Sequence, residues 1–156
     1  MFGEEPQFET TWHSEDLARV RDELASVPLH QFYGVEILAL SPGHGRARLT
    51  VSDNTANVHG WLHGGVYYAV LDIVAYLGVV PLLEVGENAV THDIHVSVLR
   101  PAERGQTLEL VGVVRKRGRT LVFCESEAWI DGKLAASARV TKSFVRDDSF
   151  AWRSET

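Results

Sequence analysis

The sequence predicts an α+β domain in which an antiparallel β-sheet wraps around one long apolar helix. Three observations carry this. Between Val66 and Leu83 the only charged residue is Asp72, and a helix apolar on every face must be enclosed by other structure. Two strand-like segments precede that run and four follow it. The later strands are joined by short turn signals, Arg117-Gly118-Arg119 and Asp131-Gly132-Lys133, of which Asp-Gly is the stronger hairpin signal. Strands grouped around a single segregated helix are the pattern of an α+β domain.

Each element has its own warrant. Residues 1–12 read as a loose arm. Ser14 is placed to cap a short helix through Val27, with Glu15 and Asp16 in its first turn and Leu17, Val20, Leu24 and Val27 on one face. Pro28 ends it. Strands follow over 35–40 and 45–51, divided by Ser41-Pro42-Gly43. In the second, Ala47, Leu49 and Val51 alternate with Arg46, Arg48 and Thr50, as a half-exposed strand requires. A polar loop, SDNTANVHGWL, leads into the long helix, which begins at His63-Gly64-Gly65 and ends at Pro81 and Gly86. The remaining strands are expected over 89–99, 107–116, 120–130 and 134–145, and 147–156 form a tail.

At 156 residues the chain fits one domain with a real core. Its net charge of −6 argues against broad electrostatic binding to nucleic acid or anionic membrane. One cysteine, Cys124, excludes an internal disulfide and suits a reducing compartment. The acidic N-terminal segment has no basic stretch leading into an apolar run, so no secretory signal is expected. The run from Leu62 to Leu83 is long enough for a marginal membrane span, but Asp72 makes spanning costly and the flanks lack basic anchors.

Chemistry concentrates on the long helix. An unpaired carboxylate in an apolar environment costs several kcal/mol, so Asp72 needs donors, a shifted ionisation or a task. A helix opening on His63-Gly64-Gly65 presents backbone N–H groups and a positive dipole end to an anion or developing oxyanion. Together they point to acyl transfer or hydrolysis.

The sheet around one apolar helix, with Asn57-x-x-Gly60-x-x-His63-Gly64-Gly65 and Asp72, resembles the hotdog-fold acyl-CoA thioesterases. The resemblance is to the branch holding the phenylacetate-pathway and 4-hydroxybenzoyl-CoA enzymes, and runs from about Val35 to Val145. Arg100-Pro101-Ala102 agrees with it. It implies a catalytic base or nucleophile at Asp72, a backbone donor to the thioester oxygen at Gly64, and a loop asparagine at Asn57. A positioning hydroxyl falls on Thr91, although a slip of one residue would put His92 there. Substrate or coenzyme A contacts fall on His63, Gly65, Arg100, Arg117 and Arg119. No cofactor and no metal are implied. The partners implied are an acyl-CoA substrate and a second copy of the chain, as a homodimer assembling into a homotetramer. A cytoplasmic location is expected.

Spacing adds an inference of its own. Gly64 and Asp72 are eight residues apart, roughly 12 Å along one helix. That is too far for both to act on one carbonyl, so a shared site needs Asp72 from another chain.

Other readings stand beside these. Asp72 could be a structural carboxylate, Asn57 a loop cap, and His63 a group that orients its turn. Arg117 and Arg119, with Lys116, could be solvated turn charges rather than phosphate ligands. The pairs His59/His63 and His92/His95 suggest a metal, but His92 and His95 fall on opposite strand faces and no cysteine accompanies them. Asp93 and His95 share a face. A hotdog hydratase would carry a histidine five residues after its helix aspartate, and position 77 is Leu. A non-catalytic acyl-CoA-binding module remains. Trp61, Tyr67, Tyr68 and Tyr76 could line an acyl pocket. Tyr67 and Tyr68, about 100° apart on a helix, cannot both face it.

Overall fold

A computed structural model describes residues 2–153. Its elements run α1 (Ser14–Ala25), α2 (Pro28–Tyr33), β1 (Val35–Ser41), β2 (His44–Thr50), α3 (Gly64–Val79), a 3₁₀ turn Val80–Leu82, β3 (Glu87–Val98), β4 (Thr107–Arg117), β5 (Leu121–Ile130) and β6 (Lys133–Arg146). The six strands form one antiparallel sheet in the order β1-β2-β4-β5-β6-β3. This is the hotdog fold, with α3 enclosed by the sheet.

Enclosure follows from the side chains of α3. Val70, Leu71, Val74, Ala75 and Leu77 are fully buried and form the centre of the core. Backbone of helix and sheet come unusually close at two paired glycines, Gly45 of β2 and Gly112 of β4. A Cβ there would lie 2.4 Å and 2.3 Å from the carbonyl oxygen of Val74, so neither position admits a side chain without moving the helix. The carbonyl of Leu71 accepts from the buried Ser126 hydroxyl at 2.8 Å, leaving that polar core group satisfied.

Three local expectations are refined. Ser14 does not cap α1; His13 holds the cap position with no side-chain bond, and Ser14 lies within the first turn. Pro28 ends α1 and also opens α2, where its fixed φ and missing N–H are tolerated in the first turn. Pro81 likewise falls inside the 3₁₀ turn that extends α3. At the β5–β6 hairpin Asp131 and Gly132 both have positive φ, 48° and 73°, which is the turn chemistry expected of Asp-Gly.

The arm before α1 lacks regular structure yet is anchored. Trp12 is buried and its Nε1 donates to the Leu83 carbonyl at 2.9 Å, while Thr10 Oγ1 donates to the Pro81 carbonyl. The segment after β6 packs on the same end of the fold. Asn88 Nδ2 donates to the Phe150 carbonyl, Trp152 Nε1 to the Tyr76 hydroxyl at 2.6 Å, and Arg153 stacks over Trp12. Residues 154–156 of the expected tail lie outside the described residues.

Among the described residues β3 pairs only with β6, and its other edge is open. Its register is interrupted: Thr91 pairs with Lys142 but Asp93 with Thr141, leaving His92 as a bulge. Bulges re-aim side chains and are common beside active sites.

Candidate active site

Two clefts open on α3, one around each of its chemically distinctive positions. The first surrounds the helix N-terminus and is lined by Asn57, Trp61, Gly64, Tyr67, Leu99 and Arg100. His63 is the N-cap of α3, and its Nδ1 accepts the Gly65 N–H at 2.9 Å. Gly65 thus shapes the turn and has no free donor. The Gly64 N–H makes no hydrogen bond among the described residues, and a Cβ at Gly64 would meet nothing within 4 Å. An open N–H at a helix N-terminus is suited to receiving negative charge on a carbonyl oxygen.

Asn57 sits in this cleft as a loop organiser. Its Oδ1 accepts from the N–H groups of His59 and Trp61 at 2.9 and 3.1 Å, which leaves the amide nitrogen as its available donor. Tyr67 is buried, with its hydroxyl donating to the Arg100 carbonyl; burial raises its pKa. Tyr68 points outward, 45% exposed. Of the two neighbouring rings, Tyr67 therefore lines the Gly64 cleft and Tyr68 does not.

The second cleft, of about 440 Å³, surrounds Asp72. Its apolar walls include Leu24 and Val27 near the end of α1, Ile73 and Tyr76 of α3, and Phe150 and Trp152 after β6. Tyr76 is held by two bonds, donating to Asn88 Oδ1 and accepting from Trp152, while burial raises its pKa.

Asp72 is not unpartnered. Lys142 Nζ lies 2.7 Å from its Oδ1, and Thr91 Oγ1 lies 3.0 Å from Oδ1 and 2.8 Å from Oδ2. Lys142 also donates to Thr91 Oγ1 at 3.0 Å. Thr91, rather than His92, thus faces the carboxylate; His92 turns instead to the Ser143 hydroxyl. Lys142 is only 3% exposed, whereas the Asp72 side chain is 31% exposed and reaches the cleft. Reading the sequence for the site missed Lys142. The signal was there: Ala136, Ala138, Val140 and Lys142 share the inward face of β6. A lysine on a buried face must find an acceptor.

The remaining candidates lie elsewhere. Arg117 turns inward beneath the sheet end: its guanidinium pairs with the fully buried Glu87, donates to the Leu82 and Gly118 carbonyls, and stacks 4.2 Å from the Phe144 ring centroid. Arg119 is exposed in the β4–β5 turn, and Arg100 is exposed beside the Gly64 cleft. Asp93 and His95 line a separate cleft on the outer face of the sheet with Arg115, Glu125 and Arg139, away from Asp72. No cluster of three His, Cys, Asp or Glu side chains that could hold a metal occurs among the described residues.

Fold and family place the chain among the thioester hydrolases of the hotdog type. The sequence pattern of the thioesterase superfamily matches residues 59–137, about half of the chain, and the protein belongs to that family. Its relatives include PaaI-type proteins. It is 31% identical to a phenylacetic acid degradation-related protein of Ralstonia eutropha JMP134, over 81% of this chain and 98% of that one, with a TM-score of 0.72. A variant of the phenylacetic acid degradation protein PaaI from Thermus thermophilus is 26% identical over 75% of this chain and 98% of its own, with a TM-score of 0.70. Human acyl-coenzyme A thioesterase 13 is 27% identical over 110 residues, 69% of this chain and 78% of that protein.

Proposed function

We propose that the protein is an acyl-CoA thioesterase whose site is shared between two copies, with Gly64 of one and Asp72 of the other on opposite sides of the thioester carbonyl. The observation that carries this reading is the separation of the two clefts on one rigid helix, roughly 12 Å for eight residues. Both clefts also border β3, the Asp72 cleft at Thr91 and the Gly64 cleft at Val98 and Leu99. The free edge of β3 carries exposed Val90 and Val98 with Leu99 just beyond it, and an uncovered edge of this kind invites pairing with another strand. Antiparallel pairing of two β3 edges about a two-fold near His95 would set Thr91 of one copy opposite Leu99 of the other, joining unlike clefts.

In such a site the thioester oxygen accepts from the Gly64 N–H, which gains strength as negative charge develops there. The Asp72 carboxylate attacks the carbonyl directly or takes a proton from the attacking water. The C–S bond then breaks and the sulfur leaves as a thiolate; after direct attack, water cleaves the acyl–Asp72 anhydride, releasing the acid and restoring the carboxylate. The balance is R–CO–S–CoA plus water giving R–COO⁻, CoA–SH and one proton. Asn57, through its amide nitrogen, and Thr91 position the reactants. Arg100 and Arg119 are free to meet the nucleotide phosphates. The apolar cleft beside Asp72 suits a ring-bearing or medium-length acyl group better than acetyl, because a methyl group gains little from so large a pocket.

The test has two parts. Asp72→Asn should lower thiol release from the best substrate in an acyl-CoA panel by at least about 100-fold, while a folded protein is retained. Isolated heterodimers of Asp72→Asn with Gly64→Val should regain part of the parent rate, because both lesions fall in one of the two sites. Parent-like turnover in Asp72→Asn refutes the role of the carboxylate, and heterodimers as inactive as either variant refute the shared site.

A further inference from the structure

Lys142 occupies a core position where a lysine is not expected. It is 3% exposed, on an inward-facing position of β6, with the aromatic ring of Tyr76 centred 5.3 Å from its Nζ. Burying an ammonium is costly unless its charge and its protons are satisfied. Two of its three donors are accounted for, by Asp72 Oδ1 and Thr91 Oγ1.

The hydroxyl of Thr91 is the key to the arrangement. It has one proton but lies within hydrogen-bond distance of both Asp72 oxygens and of Lys142. An ammonium cannot accept, so it must donate to Thr91 Oγ1. The Thr91 proton is then directed to the carboxylate, and since Oδ1 already receives Lys142, the shorter contact at 2.8 Å to Oδ2 takes it. Each carboxylate oxygen thus receives one strong donor and keeps lone-pair capacity toward the cleft. Thr91 and Lys142 are direct cross-strand partners, so the two donors are fixed by the sheet and not by flexible loops.

We propose that Lys142 is a positioning residue for the hydrolysis. It supplies the counter-charge for Asp72 and sets the Thr91 proton, so that the carboxylate is held in one orientation toward the substrate. This rests on the reading of Asp72 given above. Lys142 borders the cleft only from beneath the carboxylate, 3% exposed and with its ammonium spent on Asp72 and Thr91, so its effect falls on turnover more than on binding. Its removal lets Asp72 and Thr91 rotate, and a displacement of about 1 Å at a reacting group can cost on the order of 100-fold in rate.

The experiment compares the purified parent with Lys142→Met, which keeps the aliphatic stem, on the preferred acyl-CoA, with unfolding midpoints recorded in parallel. The expected result is a fall in kcat of about 100-fold with KM within a few-fold of the parent. In Lys142→Ala, methylamine or ethylamine should restore turnover saturably, because a small ammonium can enter beside Asp72. Methanol and ethanol, of similar size without charge, should not. A folded Lys142→Met with parental kcat overturns the proposal. So does rescue by alcohol as effective as rescue by amine, which would reduce Lys142 to a filler of space. If Lys142→Met does not fold, Lys142→Gln carries the same comparison of kcat with KM. Dependence of the parent on Asp72 is established first with the same substrate. Its absence overturns the reading of Asp72 together with this one, whereas an Asp72-dependent parent indifferent to Lys142 overturns only this one.

Discussion

Replacing Gly64 by Ala should separate catalysis from stability. Gly64 has no positive φ, and a Cβ built on it meets no atom within 4 Å. Nothing in the protein itself therefore demands glycine there. Alanine is the better helix former by up to about 1 kcal/mol in a helix interior, and less in a first turn. At about 2–4 °C per kcal/mol for a chain of this size, Tm should stay level or rise by a degree or two. The open space is where the thioester oxygen must approach the N–H, and a methyl group there holds the carbonyl away. Losing one such donor costs about 100- to 1000-fold in rate, or roughly 3–4 kcal/mol of transition-state stabilisation. The contrast is Gly112→Ala, whose Cβ would lie 2.3 Å from the Val74 oxygen and 2.7 Å from the Ala75 nitrogen. Backbone must shift to admit it, at a cost of about 1–3 kcal/mol or more, so Tm should fall by several degrees. The assay is kcat/KM by thiol release alongside calorimetry for both variants. If Gly64→Ala keeps parental kcat/KM, the open N–H has no part in the reaction and the argument fails.

Arg117→Ala should act on stability, since it strips the fully buried Glu87 of its closest partner and leaves Arg146 at 3.1 Å. A loss of about 3 kcal/mol, or about 10 °C in Tm, is expected. Arg119→Ala should instead raise KM for acyl-CoA and leave a short thioester without the nucleotide unaffected; an equal effect on both substrates would remove it from the phosphate site. Trp152→Ala enlarges the Asp72 cleft and removes one of the two partners of the Tyr76 hydroxyl, leaving Asn88. It should shift selectivity toward bulkier acyl groups, and an unchanged kcat/KM ranking would exclude the segment after β6 from the acyl wall. Burial pushes the Cys124 thiol from 9.0 up to about 12. The unfolded chain therefore releases this proton before the folded one, and stability should fall as pH rises from about 9 toward 12. Tm measured between pH 8 and 11 should decline less steeply in Cys124→Ala, and parallel slopes would contradict the assignment.

Most of the architecture is legible in the sequence because its signals are local. An apolar helix with one carboxylate, alternating strands and an Asp-Gly turn each specify their element with little help from distant residues. What escapes depends on contacts far apart in sequence. Arg117 reads as a charged turn residue until Glu87, thirty positions earlier, is seen buried beneath it. Asp72 reads as solitary because Lys142 is seventy positions away. The second helix, α2, is lost to a narrower cause: Pro28 reads as a stop, although the same fixed φ serves equally as a start.

The bulge at His92 leaves β3 with two opposite parities. Ala89 and Thr91 face inward before it, and Ile94 and Val96 pack on the core after it. Odd-numbered positions are thus interior on one side and even-numbered positions on the other. Thr91, Asp93 and Ile94 pair with the consecutive residues Lys142, Thr141 and Val140, so without His92 the strand would alternate regularly, Thr91 and Ile94 both inward and Asp93 outward between them. The bulge absorbs one extra residue locally, and the parity changes in the numbering of β3 while the inward face stays continuous from Thr91 beside Asp72 to the hydrophobic interior at Ile94 and Val96. Any comparison of this chain with a relative that has an unbroken third strand will need a gap at that point, or the hydroxyl will be matched to the wrong side of the sheet.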